Sequence, residues 1–100
     1  MTTATRTLLT VICEAALEKK LVADLDHLGA PGWTLSEARG RGSRGVRSAE
    51  WDTESNIRLE VICNRELAER IAEHLQVRYY DNFAMVSYLA EVEVLRPEKF

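Results

Sequence analysis

The spacing of apolar residues along the chain switches between two periods, and each switch marks a new element. Thr7 to Cys13 is a short apolar run bounded by polar residues, which predicts a buried strand. Leu17, Leu21, Leu25 and Leu28 then recur at helical spacing, with Lys20 one turn ahead of Asp24, and Gly29, Pro31 and Gly32 end that helix. Trp33 to Ala38 reads as a second strand. Asn56 to Cys63 alternates Ile57, Leu59, Val61 and Cys63 against Arg58 and Glu60, the period of a half-buried strand. Asn64 is placed to cap a second helix through Leu67, Ile71 and Leu75, with Glu66 and Arg70 as an exposed pair. Ala84 to Leu95 closes as a long strand whose Val86, Tyr88, Ala90 and Val92 share one face.

The predicted order is βαββαβ, an α+β arrangement. Four strands carrying two helices on one face make a ferredoxin-like sandwich, here a single domain over residues 1–100. Such a sandwich leaves the second sheet face bare. On this chain that face is expected to show Ile62 and Leu89, and an apolar sheet face is costly to leave in water. Oligomerisation through the sheets is the expected remedy.

Composition narrows the class without fixing the function. The chain is 46% apolar and 29% charged, with two Pro and five Gly, which excludes wholesale disorder and fibrous repeats. No apolar run approaches the ~20 residues that span a bilayer, and the first residues lack the order of a secretory signal, so a cytoplasmic location is expected. Cys13 and Cys63 sit in apolar runs and in no CxxC pair, and are read as buried, unreactive thiols. His27 and His74 are far apart without matched ligand spacing and are read as surface residues; no metal site is expected.

Charge is uneven. The net charge of −3 argues against a general nucleic-acid binder, yet Arg39, Arg41, Arg44 and Arg47 fall in one stretch free of acids. That stretch, Gly40-Arg-Gly-Ser-Arg-Gly-Val-Arg-Ser48, combines glycines that let backbone N–H groups approach a ligand with two arginines, Arg44 and Arg47, whose planar forks match phosphate oxygens. Ser43 adds a hydroxyl. From Gly40 to Ser55 the segment exceeds the usual hairpin loop of about 2–5 residues, which points to function; a solvated flexible loop is the plain alternative. Beyond Arg47 it turns acidic through Glu50, Asp52 and Glu54, with Trp51 between.

Gly32-Trp-Thr34, Gly40-x-Gly-Ser-Arg-x-Val-Arg-Ser48, Asn56-Ile-Arg-Leu-Glu60 and Tyr79-Tyr-Asp-Asn-Phe-Ala84 follow one another at spacings that resemble the PII-like signalling proteins. Within them they are most similar to the SbtB branch, which regulates a sodium-dependent bicarbonate transporter in cyanobacteria. The resemblance runs from about Leu8 to Leu95 and implies a homotrimer with nucleotide sites in the clefts between subunits. It implies cyclic AMP, AMP, ADP and ATP as regulatory ligands, with a divalent metal accompanying ATP as an open question and no catalytic cofactor. Carried onto this chain, Gly40, Gly42, Ser43, Arg44 and Arg47 match the phosphate-holding stretch. Gly32, Trp33 and Thr34 match the strand-two edge of the cleft, Trp33 replacing the usual Tyr. Phe83, Ala84, Met85 and Val86 would border the adenine from an adjoining chain, Met85 standing where the branch commonly has Gly. The loop over about 40–55 corresponds to the family's T-loop. Its Val46, Ser48, Glu50, Trp51 and Asp52 would meet the transporter, which would bring the protein to the membrane periphery. Relatives carry a C-terminal Cys-Gly-Pro-Glu-Gly-Cys hairpin tied to redox control and slow nucleotide hydrolysis; this chain has Leu95-Arg-Pro-Glu-Lys-Phe100 there.

Three competing readings share the topology. RNA-binding domains need aromatic residues on the central strands, and the third strand offers none. Acylphosphatases bind phosphate with a Gly- and Arg-bearing loop after strand one, where this chain has Cys13-Glu-Ala-Ala16. A weak ATP or ADP hydrolase of the same fold is the enzymatic alternative to a non-catalytic sensor.

Overall fold

The computed structural model describes residues 2–40 and 55–100. Strand β1 spans Ala4–Glu14 and passes through a 3-10 turn into helix α1, Glu18–Leu28. Strand β2 covers Thr34–Ala38, β3 Asn56–Cys63, helix α2 Arg65–Tyr79 and β4 Val86–Val94, followed by a 3-10 turn at Pro97–Lys99. The sheet is antiparallel throughout in the order β2-β3-β1-β4. This is the ferredoxin-like arrangement read from the sequence, with β1 three residues longer at its start than the apolar run alone predicts.

Register decides which residues meet the helices. Leu9 stands opposite both Val61 and Leu89, and Val11 opposite Leu59 and Ser87, so these positions share one face. That face is buried under Leu17, Leu21 and Leu25 of the first helical stretch and Leu67, Ile71, Leu75 and Tyr79 of the second. The expectation that Leu89 lies on the bare face is therefore corrected: it packs half-buried against the core. Period-two alternation leaves no other outcome once Val86, Tyr88 and Ala90 face away. Ile62 does lie on the other face, in a row with Leu8 and Ala90. Val86 and Tyr88 are 47% and 49% exposed there, so the uncovered face is distinctly apolar.

The element ends follow local chemistry. Gly29 closes α1 in the left-handed region at φ 86°, and the Ala30 N–H reaches back to the Leu25 carbonyl at 3.0 Å, a turn that a side chain would strain. Asn64 caps α2 as expected, its side chain accepting from the Leu67 N–H at 2.8 Å, a contact worth about 1 kcal/mol. The ion pair on that helix joins Arg65 to Glu69 at 3.0 Å, one position earlier than the pair expected at Glu66 and Arg70. Asp24 does not pair with Lys20 either. It turns inward, accepts the Tyr79 hydroxyl, and lies 3.3 Å from His74 Nε2 and 3.7 Å from Arg78 Nε. Tyr79 is one of the largest buried side chains, and its hydroxyl donates to this carboxylate crossing from the other helix.

Candidate functional site

The loop from α1 to β2 builds one wall of a groove on the uncovered sheet face. Once Gly29 has ended the helix, Pro31, Gly32 and Trp33 lead into β2, whose first residue Thr34 pairs with Glu60. That pairing puts Thr34 and Glu60 on the uncovered face, with Ile62 two positions along. The opposite wall comes from the end of the chain. Arg6 on β1 donates to the Pro97 carbonyl at 3.5 Å, and the turn at Pro97–Lys99 is closed by the Lys99 N–H bonding to the Arg96 carbonyl at 3.0 Å. Arg96, Lys99 and Phe100 are thereby laid against Pro31 to Thr34, Glu60 and Ile62, enclosing about 620 Å³. This is the size of a cleft for a small organic ligand.

Its charge is positive. Glu60 is already engaged by Arg58 Nη2 at 2.9 Å, whereas Arg96 and Lys99 have no carboxylate partner among the described residues. Trp33 is 41% exposed, and its ring edges both this groove and a shallower depression along α1 beside Lys19, Val22 and Asp26. The groove thus offers an aromatic edge, an aliphatic floor at Ile62, a hydroxyl at Thr34 and two unneutralised cations. That combination suits a ligand with a planar apolar part and an anionic part.

Residues 6–99 match the family model described as Nitrogen regulatory protein P-II. The chain belongs to the PII family. A PII-like signalling protein from Thermus thermophilus is 44% identical to it, superposes with a TM-score of 0.83, and the match covers 100% of this chain and 99% of that one. CPII from Thiomonas intermedia, bound to ADP, AMP and acetate, shares the fold at 22% identity and a TM-score of 0.84, over 100% of this chain and 98% of that one. A second CPII structure, bound to ADP and bicarbonate, matches at 24% identity and a TM-score of 0.82, with 99% and 97% covered.

Within this PII fold the residues singled out by sequence fall into three groups. Gly32, Trp33 and Thr34 line the groove. Gly40 is exposed just beyond the end of β2, where Ala38 pairs with Asn56. Gly42, Ser43, Arg44 and Arg47, together with Val46, Ser48, Glu50, Trp51 and Asp52, lie outside the described residues.

The third group sits at the other edge of the sheet. Phe83, Ala84 and Met85 lead into β4, and two strands separate β4 from β2. Three interstrand spacings of about 4.8 Å put these edges roughly 14 Å apart. One chain does not bring Thr34 and Phe83 together; two chains side by side can. Within this third group the side chains differ. Phe83 is half-buried with its ring edge-on to Tyr79 at 6.0 Å, Val86 is exposed, and Met85 is buried in the core. Only the Met85 backbone is left to face a ligand.

Glu60, Ile62, Arg96, Lys99 and Phe100 were not read as site residues from the sequence, although Ile62 was placed on the bare face. For Glu60 and Ile62 the strand alternation held the signal. For the last three only the path of the terminal turn across β1 brings them to the groove.

The remaining titratable groups stand apart from it. Cys13 and Cys63 are buried free thiols. Burial, then the neighbouring Glu14 charge, pushes Cys13 up to about 12, and burial raises Cys63, so neither is a nucleophile at neutral pH. The Tyr79 phenol is held above its ordinary value by burial and then by its bond to Asp24. His27 is exposed, while His74, read as a surface residue, is half-buried beside Asp24. Among the described residues no three His, Cys, Asp or Glu side chains gather to hold a metal ion.

Proposed function

We propose that this PII-family chain is a non-catalytic sensor of adenine nucleotides that works as a homotrimer and controls a membrane bicarbonate transporter. In this reading three copies pack through their uncovered sheet faces. Each nucleotide lies where the Gly32–Thr34 edge of one copy meets the Phe83–Val86 edge of the next. Ser43, Arg44 and Arg47 hold phosphate, aided by Gly40 and Gly42. Nucleotide occupancy sets the order of the loop over 40–55, and Val46, Ser48, Glu50, Trp51 and Asp52 carry that state to the transporter at the membrane. A nucleotide alters docking only through its different affinity for the two loop states, so the transporter alters nucleotide affinity by the same factor.

The observation that carries the reading is the positive groove at Gly32–Thr34, with Arg96 and Lys99 unpaired among the described residues and the complementary segment at the far edge of the sheet. Such a half-site needs a second copy. The ligands present in CPII, ADP with AMP or with bicarbonate, support adenine nucleotides and a link to inorganic carbon. Resemblance to the bicarbonate-regulating branch supports the transporter, and cyclic AMP and ATP enter on the same ground, ATP with or without a divalent metal.

Isothermal titration with cyclic AMP, AMP, ADP and ATP tests it directly. Saturable binding at one nucleotide per chain is expected for at least one of them. No heat of binding from any of the four, with a correctly folded protein, overturns the reading.

A further inference from the structure

The turn between α2 and β4 is fastened at both ends. At its start the Tyr79 carbonyl accepts from the Asn82 and Phe83 N–H groups at 3.1 and 3.0 Å, tightening the chain after the helix. At its end Met85 drops into the core. Across the turn the Tyr80 hydroxyl bonds to Ser87 Oγ at 2.5 Å, joining residues seven apart. Ser87 stands on the helix-side face of β4 opposite Val11, so the strand end of this bond is fixed by the sheet register. Asp81, Asn82, Phe83 and Ala84 lie inside the closed ring, and Phe83 is further held edge-on by Tyr79. Tyr79 and Tyr80 thus tie the turn in opposite directions, one to α1 through Asp24 and the other to β4.

We infer that Tyr80 and Ser87 are positioning residues that hold Phe83 and Ala84 in the conformation that meets the nonphosphate part of a nucleotide seated on the adjoining copy. The inference rests on the nucleotide reading above. A free turn must lose backbone entropy whenever it orders against a ligand. A hydroxyl bridge across its base removes that loss before binding, and the gain appears as affinity. Because the bridge touches only the Phe83 side of the cleft, it acts on the base and ribose and leaves phosphate binding alone.

The test is a titration of the trimer with ADP and, separately, with inorganic pyrophosphate. Tyr80→Phe should weaken ADP about three- to tenfold, the worth of one hydrogen bond, and leave pyrophosphate unchanged. Ser87→Ala should match it, and the double variant should be no worse than either, since both remove the same bond. Ser87→Thr, which keeps the hydroxyl, should restore ADP affinity. Ser87→Ala removes a single oxygen atom, so it serves as the reading if Tyr80→Phe folds poorly. Unchanged ADP affinity in both single variants overturns the positioning role and leaves the nucleotide reading standing. Equal losses for ADP and pyrophosphate overturn it too, since they mark a general loosening of the fold. If the parent binds no adenine nucleotide at all, the nucleotide reading itself falls and takes this inference with it.

Discussion

Replacing Tyr88 by Glu should dissolve the assembly on which the shared cleft depends. Tyr88 lies near the middle of β4 on the uncovered face, pairing with Thr10 of the central strand, and is 49% exposed in the single chain. A buried Tyr removes about 150–250 Å² from water, so covering its exposed half takes up about 100 Å² more. At ~25 cal/mol per Å² that is about 2.5 kcal/mol per chain. Summed over three chains it is about 7.5 kcal/mol, more than five orders of magnitude in the assembly constant. A carboxylate at the same place adds the penalty of an uncompensated charge buried in the proposed joint.

The parent should sediment at micromolar concentration as a species of about three times 11.4 kDa, and Tyr88→Glu as a monomer. The monomer should keep its far-ultraviolet circular dichroism, because the core lies on the opposite face of the sheet. ADP titration should fail in the same variant although Tyr88 is in neither half of the proposed cleft. A trimer that survives Tyr88→Glu, or a parent that is itself monomeric, refutes the argument that this face is the joint. A monomeric variant that still binds ADP at parental strength refutes the shared cleft.

Charge-assisted arginine–phosphate bonds contribute about 1.5–3 kcal/mol each, so Arg47→Ala should weaken nucleotide binding roughly ten- to a hundredfold by calorimetry. Arg47→Lys should fall between, and Arg41→Ala, outside the Ser-Arg-x-Val-Arg stretch, should do much less; three equal effects would count against a phosphate clamp. Incubation with ATP and a divalent metal should yield no AMP above background by chromatography, and turnover abolished by Arg44→Ala would promote the hydrolase reading. The Cys13 thiol titrates near 12 when folded and near its ordinary 9.0 when unfolded, so the unfolded chain loses this proton first. The contribution of this one thiol is therefore full well below pH 9 and falls above it by at most about 1.4 kcal/mol per pH unit. Urea melts between pH 9 and 10 should show stability falling more steeply in the parent than in Cys13→Ala.

The elements were legible because each is written in local chemistry. Asn64 caps α2, Gly29 ends α1, and Ile57, Leu59 and Val61 alternate into the core as their spacing demands. What failed was information carried by register and by long-range contact. Leu89 was assigned to the wrong face because its position depends on pairing with Leu9, whereas its hydrophobicity fits either side. Asp24 sits one helical turn from Lys20, yet Tyr79, 55 residues away in sequence, offers a buried hydroxyl that must find an acceptor. The site divides the same way. Gly32, Trp33 and Thr34 were legible as a motif. Arg96 and Lys99 join them through the path of the terminal turn, which the Arg6 guanidinium contacts at the Pro97 carbonyl.

The proposed division of the cleft between opposite sheet edges has a thermodynamic consequence. β2 and β4 can never meet within one copy of this fold, because β3 and β1 stand between them. A ligand that needs both edges therefore binds the assembly and not the separated chain. In the proposed trimer each occupied cleft would then add stability of RT ln(1 + [L]/Kd), about 2.7 kcal/mol at a hundredfold excess over Kd. Three clefts filled in this way contribute about 8 kcal/mol, against about 7.5 kcal/mol assigned to the three Tyr88 side chains. Nucleotide and sheet face thus contribute on comparable scales, so dilution should separate an empty trimer well before a loaded one. Under the proposed function the same linkage would make the cleft responsive to whatever docks on the loop over 40–55. A partner that favours one loop state changes the affinity of the half-site beside it, and the nucleotide must change the partner's affinity equally. A fold with its whole ligand site inside one chain would bind nucleotide without linking it to assembly.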